Sequence, residues 1–221
     1  MAEHGAGSRR AISAVEVVLG AVVVIGHNVF GALPNEVPTL CAAALVSVRL
    51  RGGGWVALGF ARPGSWRKAI AVAALAAALR IVLGDLVIDP LTQRFWPPAA
   101  APAIADDLAG NAGQALLLLG LVWTFAAFGE EIGYRGYLLN RAAHVFGGSI
   151  RASWAAVVAS AVLFGFGHFY KGPSGIVDSS VAGLILGGAY VLAGRNLWVP
   201  VLAHGFIDTV GVVLGYFGLD G

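Results

Sequence analysis

The sequence predicts an all-α membrane protein, a polytopic bundle of about seven transmembrane helices. Of its 221 residues, 58% are hydrophobic and only 12% are charged, and the mean hydropathy is +0.80. A soluble domain carries about a quarter of charged residues. Apolar stretches recur along the whole chain, several of them near the 20 residues that a membrane-spanning helix needs. The basic residues fall almost entirely in alternate connections between these stretches.

The composition also excludes other classes of protein. Cys41 is the only cysteine, so a disulfide-stabilised secreted module is not expected. A net charge of +2, scattered along the chain, gives no basic surface for nucleic acid, and no nucleic-acid partner is predicted. No change in composition marks a domain boundary. We therefore expect residues 1–221 to form a single integral-membrane domain in contact with the lipid bilayer.

Seven apolar stretches are the predicted helices, and the second of them is the shortest. Their approximate bounds are 11–31, 37–50, 69–88, 112–141, 152–170, 176–194 and 197–218. The longest predicted loop is 89–111, where four prolines interrupt continuous helix, namely Pro90, Pro97, Pro98 and Pro102. No internal repeat indicates a solenoid.

The distribution of basic residues predicts the orientation. With seven helices, ten basic residues fall in one set of connections and only Arg94 and Lys171 in the other. The ten are Arg9, Arg10, Arg49, Arg51, Arg62, Arg67, Lys68, Arg141, Arg151 and Arg195. Basic residues are enriched in cytoplasmic loops, so this bias predicts a cytoplasmic N-terminus and an external C-terminus. The apolar run after Arg9 and Arg10 is then a retained signal anchor, because Glu16 interrupts it and no convincing cleavage site follows.

Ionisable side chains inside three of the last four helices are the candidate functional residues. Each such side chain costs about 2.5–3.5 kcal/mol to insert into a bilayer, so its presence there suggests a function. Glu131 and Arg135 stand four residues apart, in the order that favours an ion pair on one helix face. That pairing leaves Glu130 to face the interior of the bundle. His204 and Asp208 also stand four residues apart and share a face.

Depth brings these groups together with His168 of the fifth helix. At the rise of an α-helix, Glu130, the two histidines and Asp208 lie about 14–24 Å from the cytoplasmic helix ends. They are therefore expected to meet between the helices near the membrane midplane. A lone intramembrane histidine is more often a hydrogen-bond partner than a catalyst. Two histidines at one depth beside an unpaired carboxylate favour water activation instead.

The remaining charged residues in the helices are given no chemistry. Glu16 and His27 of the first helix are predicted to be structural or pore-lining. Arg80 is expected to pair with Asp85 or Asp89. Asp178 and Lys171 are placed near the outer surface without a special role.

Three motifs resemble those of the CPBP family, the CAAX proteases and bacteriocin-processing enzymes that are also called the Abi family. The resemblance covers residues 112–212, about half of the chain. An upstream element also resembles a segment found in bacterial members, Leu58-Gly59-Phe60 with Arg62-Pro63. The motifs are Glu130-Glu131-x-x-x-Arg135, Phe164-x-x-x-His168 and His204-x-x-x-Asp208.

The resemblance implies an intramembrane, glutamate-dependent endopeptidase related to the type II CAAX prenyl endopeptidases. Position by position, Glu130 and His168 would activate the attacking water, while His204 and Asp208 would stabilise the oxyanion or position that water. The supporting residues would be Glu131, Arg135 and Phe164. The last motif often ends in Asn, and an ionised Asp208 would be a poor oxyanion donor, so it either is protonated or orients His204.

The sequence leaves metal dependence open. Zinc is the candidate metal, since Glu130, His168 and His204 supply the three protein ligands that a catalytic zinc site uses. The H-E-x-x-H signature of zinc proteases is absent, however, and a metal-free glutamate base is equally physical. No cofactor is certain, and the balance favours no tightly bound metal.

Proteolysis by direct attack of water is the predicted function, because no Ser or Cys nucleophile accompanies the histidines. The substrate is expected to be a peptide or membrane protein, and the compact, Ala- and Gly-rich chain suggests a prokaryotic cell membrane. One alternative is a non-catalytic bacteriocin immunity or scaffold protein of the same fold. Another is a proton-coupled transporter, which the absence of an inverted repeat disfavours. The oligomeric state is not predicted.

Overall fold

Seven helices and their connections make up the computed structural model, which describes residues 2–96 and 108–219. Within these ranges there is no strand. The helices are α1 (Ala2–Asn28), α2 (Glu36–Leu50), α3 (Trp66–Thr92), α4 (Ala112–Val145), α5 (Ile150–Phe166), α6 (Gly172–Leu192) and α7 (Trp198–Tyr216). The predicted polytopic bundle of seven helices is confirmed.

Five of the helices are long and apolar enough to cross a membrane. They are α1, α3, α4, α6 together with the turn before it, and α7. The other two are shorter, with 15 residues in α2 and 17 in α5. A bilayer core of about 30 Å matches the five long helices. The protein is an integral, multi-pass membrane protein.

Polar side chains fix where four of the helices begin. Asn35, Ser65, Asn111 and Ser149 each accept a hydrogen bond from a backbone N–H in the first turn of α2, α3, α4 and α5, at 3.0–3.4 Å. A free N–H at a helix start would cost more in an apolar environment than in water. These caps therefore set the helix ends close to the membrane surfaces.

The predicted boundaries at the ends of the third and fifth helices were wrong. The loop predicted from residue 89 begins later, because α3 continues through Pro90 to Thr92. A π-helical segment, Gly84–Ile88, ends just before Pro90, which then occupies the first turn of the next helical segment, where a missing N–H costs little. Pro97, Pro98 and Pro102 lie outside the described residues. The fifth helix ends at Phe166 rather than 170, and His168 stands in the turn that follows.

The middle of α4 is wound as a π-helix rather than as an α-helix. Two π-helical segments, Val122–Glu130 and Ile132–Leu139, follow one another with only Glu131 between them. Segments of this kind are rare and are frequent at functional sites. Both glutamates of the first motif thus lie within the irregular part of the helix.

The upstream element around Gly59 docks against the start of α7. Gly59 has a φ of +104°, a left-handed conformation that favours glycine, and its carbonyl accepts a hydrogen bond from Leu197 N–H at 2.9 Å. Leu58 is fully buried, and Phe60 packs edge-on against Trp198. These contacts fix the beginning of the helix that carries His204.

An ion pair between α3 and α6 corrects a further prediction. Arg80 does not pair with Asp85 or Asp89 but binds Asp178 through two hydrogen bonds of 2.6 and 2.7 Å. Asp178 lies on the face of α6 that packs against α3, so the pair is shielded from lipid. The aspartate given no special role in the sequence is thus the partner of Arg80.

Candidate active site

Glu131 lies at the centre of a fully buried polar group. Its Oε1 accepts hydrogen bonds from Arg135 Nη1 at 2.7 Å and from His204 Nδ1 at 2.8 Å. Arg135 also donates to the backbone carbonyl of Gly183 in α6, at 3.3 Å. The predicted Glu131–Arg135 pair is present, and it connects α4 with α6 and α7. Burial makes such a pair costly to break, because it would leave one charge without a partner.

Asp208 completes this group from one turn further along α7. Its Oδ2 lies 3.4 Å from His204 Nε2, while the other ring nitrogen faces Glu131. The imidazole is therefore held between two carboxylates. The longer distance makes the contact with Asp208 the weaker of the two. This geometry assigns Asp208 an orienting position beside His204.

Phe164 connects the charged groups of the site through its ring. The guanidinium of Arg135 lies 4.4 Å from the ring centroid, a cation–π distance. The rings of Tyr134, His168 and His204 lie 5.0, 4.9 and 6.1 Å away. This one aromatic side chain thus contacts members of all three motifs. The predicted supporting role of Phe164 would rest on these ring contacts.

Glu130 has a different environment from its neighbour. It lines a cavity of about 660 Å³, and its Oε2 is buried without a hydrogen bond from the part of the chain that the structure describes. His168 lines the same cavity, as do residues from the ends of α1, α2 and α4. An unpaired carboxylate beside an imidazole in a cavity is suited to general base chemistry.

The hydrogen bond of His168 indicates its tautomer. Nδ1 lies 3.0 Å from the carbonyl oxygen of Phe164. A carbonyl can only accept, so Nδ1 carries the hydrogen and Nε2 has the free lone pair of the neutral ring. Because α5 ends at Phe166, the ring stands on a turn rather than on a helix face. That turn directs His168 to the cavity that Glu130 lines.

The four predicted catalytic side chains thus fall into two adjoining groups. Glu130 and His168 line the cavity, whereas His204 is buried with Glu131 and Asp208 lies at the partly exposed edge of that polar group. Glu130 is close enough to His204 and Asp208 to interact with both electrostatically. The sequence predicted a common depth for all four side chains. It did not show which of them line the cavity and which lie beside Glu131.

Close approach of α4 and α7 requires glycine beside His204. A Cβ added at Gly205 would lie 2.5 Å from the ring of Trp123, well inside van der Waals contact. At Gly167, next to His168, a Cβ would lie 2.6 Å from the hydroxyl of Tyr134. Glycine at these two positions therefore permits close packing beside both histidines.

Two polar residues of the site, Glu36 and Tyr134, were not identified from the sequence. Glu36 lines the cavity and lies 3.5 Å from Nε2 of His27, which was predicted only as structural or pore-lining. Tyr134 is buried against Phe164, and its hydroxyl makes no hydrogen bond within residues 2–96 and 108–219. A Glu opening an apolar helix directly after the capping Asn35 was the available signal for Glu36.

A catalytic zinc ion needs three protein side chains with free lone pairs directed to one point. Glu130 and His168 both line the cavity, but His204 does not, and both of its nitrogens face carboxylates. No group of three His, Cys, Asp or Glu side chains in the described residues has an arrangement that would hold a metal ion. As arranged, the three candidate ligands do not fit a three-ligand zinc site.

The fold and the site define a class, a polytopic helical membrane protein with a polar glutamate–histidine centre buried between α4, α5 and α7. Residues 112–210, which span these helices, match the family model described as type II CAAX prenyl endopeptidase Rce1-like. This agrees with the resemblance seen in the motifs: just under half of the chain, the part that carries all three motifs, is similar to a family of endopeptidases. No curated protein and no solved structure gives a significant match.

Proposed function

We propose that the protein is an intramembrane endopeptidase that hydrolyses a peptide bond by direct attack of water, with Glu130 as the general base. One observation carries the proposal. Glu130 lines a cavity that it shares with His168, and its Oε2 is buried without a hydrogen bond from the described residues, while the adjacent Glu131 is bonded to Arg135 and His204. A base that must accept a proton needs such a free lone pair.

Water held between Glu130 and His168 is the proposed nucleophile. The carboxylate of Glu130 accepts its proton and returns it to the leaving amine, while the lone pair of His168 Nε2 accepts a hydrogen bond from the water and orients it. A thiol nucleophile is disfavoured because the Cys41 thiol donates to the carbonyl of Gly129 at 3.3 Å and has no imidazole as partner.

His204 is the proposed donor to the developing oxyanion. Its Nδ1 is held by Glu131 at 2.8 Å, whereas its Nε2 contact with Asp208 is long at 3.4 Å. The N–H on that side can therefore turn its hydrogen bond to a substrate oxygen at small cost. Preorganised donors of this kind stabilise the transition state by about 3–4 kcal/mol. Asp208 then positions His204 rather than donating itself.

The cavity indicates the kind of substrate. Its volume of about 660 Å³ lies in the range of ordinary ligand sites, and its walls combine apolar residues of α4 with polar groups at its mouth. Leu118, Leu121 and Phe125 provide the apolar wall, and Asn35 and Glu36 lie at the end of the bundle where α2 begins. We propose an extended segment of a peptide or membrane protein as the substrate.

The proposed chemistry uses no tightly bound metal. His204 has both nitrogens engaged by carboxylates, so only two of the three candidate ligands are free. Purified protein treated with a strong chelator and then desalted should keep its peptidase activity. Loss of activity that added zinc alone restores would contradict this and would require His204 to leave Glu131.

The decisive experiment compares protein termini in membranes that contain the wild type or Glu130→Gln. This substitution keeps the size of the side chain and removes the base, so cleavage should fall by about 10²–10⁴-fold. New peptide termini should occur with the wild type and with the control Asp85→Asn, which changes an exposed carboxylate of α3. Identical termini in all three membranes would contradict proteolysis and favour the immunity or scaffold role.

A further inference from the structure

A second polar cavity lies at the opposite end of the bundle from Glu130. The active-site cavity is lined by the end of α1 and the start of α2, whereas this one is lined by Arg9 near the start of α1 and by Arg51 after α2. Its volume is about 590 Å³. Arg141 of α4 and Arg195 of the α6–α7 connection also line it, together with His144. Four elements thus bring four guanidinium groups to one concave site.

The positive charge of this cavity is only partly balanced. Glu16 binds both Arg51, at 2.5 Å, and Arg141, at 3.2 Å, so one carboxylate serves two guanidinium groups. Arg9 and Arg195 have no carboxylate partner in the described ranges. The cavity therefore carries an excess of positive charge that an anion would balance.

Arg195 is held towards the cavity by an unusual backbone. Its φ is 61°, which no other residue except glycine adopts within residues 2–96 and 108–219. The left-handed conformation is unfavourable for a side chain with a Cβ, and glycine is usual at such a helix end. Arg195 N–H donates to Tyr190 O at 2.8 Å, and its guanidinium donates to Ser153 at 2.5 Å. Strain of this kind is concentrated at ligand sites.

Exposed tryptophans mark the depth of the cavity in the membrane. Trp55 directly precedes two cavity residues, Trp66 opens α3, and Trp154 lies in the first turns of α5. All three are exposed and lie at the end of the bundle that carries the arginines. Tryptophan is enriched at the level of the lipid headgroups. The cavity thus lies where lipid phosphates are found.

We propose that this cavity binds the phosphate of an anionic membrane lipid. Guanidinium groups form paired hydrogen bonds with phosphate oxygens, and four of them around one cavity fit a single headgroup. Basic pockets between transmembrane helices are suited to anionic headgroups for the same reason. The neutral donor Asn196, which also lines the cavity, adds a hydrogen bond to a headgroup oxygen.

Lipid binding to the full-length protein in detergent tests the proposal. Phosphatidylglycerol is titrated against the protein, with phosphatidylcholine as the neutral lipid, and bound lipid is counted by native mass spectrometry. The wild type should retain phosphatidylglycerol and not phosphatidylcholine. Arg9→Gln and Arg195→Gly should each weaken its binding by about fivefold, the effect of one basic residue near a lipid surface. Arg195→Gly suits the left-handed backbone, so a folding defect is not expected.

The matched control is Arg151→Gln, an exposed arginine at the same end of the bundle that does not line the cavity. It should leave the binding of phosphatidylglycerol unchanged. An equal loss in this control would overturn the site, because only general attraction to the basic face would remain. Displacement of the lipid by millimolar inorganic phosphate would also overturn it, because the ligand would then be free phosphate.

Discussion

Glu130 and Glu131 are chemically identical neighbours, and their surroundings give them different properties. The carboxylate of Glu131 is wholly buried and bonded on one oxygen to Arg135 and His204. Both glutamates have a buried Oε2 without a hydrogen bond in the described residues, but only Glu130 lines the cavity and has no ion-pair partner there. A paired carboxylate stabilises the bundle, whereas an unpaired one costs stability and is retained for chemistry.

Substitution of Glu131 should therefore lower the stability of the protein, whereas substitution of Glu130 should not. Glu131→Ala leaves the buried Arg135 without its carboxylate, and loss of one partner of a buried pair costs about 3–5 kcal/mol. Glu130→Gln breaks no hydrogen bond in the described part of the chain. We expect a markedly lower melting temperature in detergent for Glu131→Ala and an unchanged one for inactive Glu130→Gln. Equal melting temperatures would contradict the assignment of the structural pair to Glu131.

Substitution of Asp208 tests whether this residue orients His204 or itself donates to the oxyanion. Asp208→Asn keeps an oxygen that accepts from His204 Nε2, so activity should stay within about tenfold of the wild type. Asp208→Ala removes the acceptor and leaves the N–H of His204 without a partner, which costs about 1–3 kcal/mol and corresponds to a loss of roughly 10–100-fold. The measurement is kcat on a peptide found by the terminus comparison. Full activity of Asp208→Ala would exclude a positioning role.

Single residues were predictable where partners stand close in sequence. The Glu131–Arg135 pair follows from its spacing of four residues, which fixes both side chains on one helix face. Partners from distant helices were not predictable. Arg80 and Asp178 are separated by 98 positions, and nothing in either segment states which faces of α3 and α6 meet. Glu36 was missed although it is close to His27 in sequence, because the contact depends on how the turn between α1 and α2 folds back.

At the scale of elements, apolar length predicted the number of helices but not their local winding. The π-helical segments of α4 depend on contacts made by its neighbours, since the sequence from Val122 to Leu139 has no proline to force them. The end of α5 at Phe166 likewise depends on the glycine at 167 and the turn after it. These local departures direct Glu130 and His168 to one cavity, and periodicity alone cannot show them.

The contact between α4 and α7 offers a test at this scale. Gly205→Ala adds a methyl group 2.5 Å from the ring of Trp123, and overpacking of this kind costs about 1–3 kcal/mol. The variant should have a lower melting temperature and reduced peptidase activity, because α7 carries His204.

Gly211→Ala is the matched control for that substitution, since a Cβ there meets nothing within 4 Å. Its exposed position in the same helix should make it neutral or slightly stabilising, as alanine has the better helix propensity. An equal change in melting temperature for Gly205→Ala and Gly211→Ala would contradict this explanation, because helix propensity rather than packing against α4 would then determine the change.

At the scale of the whole molecule, the two ends of the bundle differ in charge. One end holds the arginine cavity, and the active-site cavity opens near the other, where Glu36 and His27 lie. The positive-inside rule assigns the arginine end to the cytoplasm. The lipid proposed for that cavity then belongs to the cytoplasmic leaflet, whose surface is negative. Orientation thus links the lipid site to one leaflet and the mouth of the active site to the opposite side.

That orientation is testable with reporters on the full chain in a bacterial host. Seven spans and ten basic residues against two predict a cytoplasmic N-terminus and an external C-terminus. Alkaline phosphatase fused after residue 221 should be active, since it folds only outside the cytoplasm, and a fluorescent protein fused there should be dark. The reverse pattern would contradict the orientation. Replacing Arg62, Arg67 and Lys68 by Gln should shift part of the population to that reverse pattern, because these residues supply three of the ten charges that hold the arginine end inside.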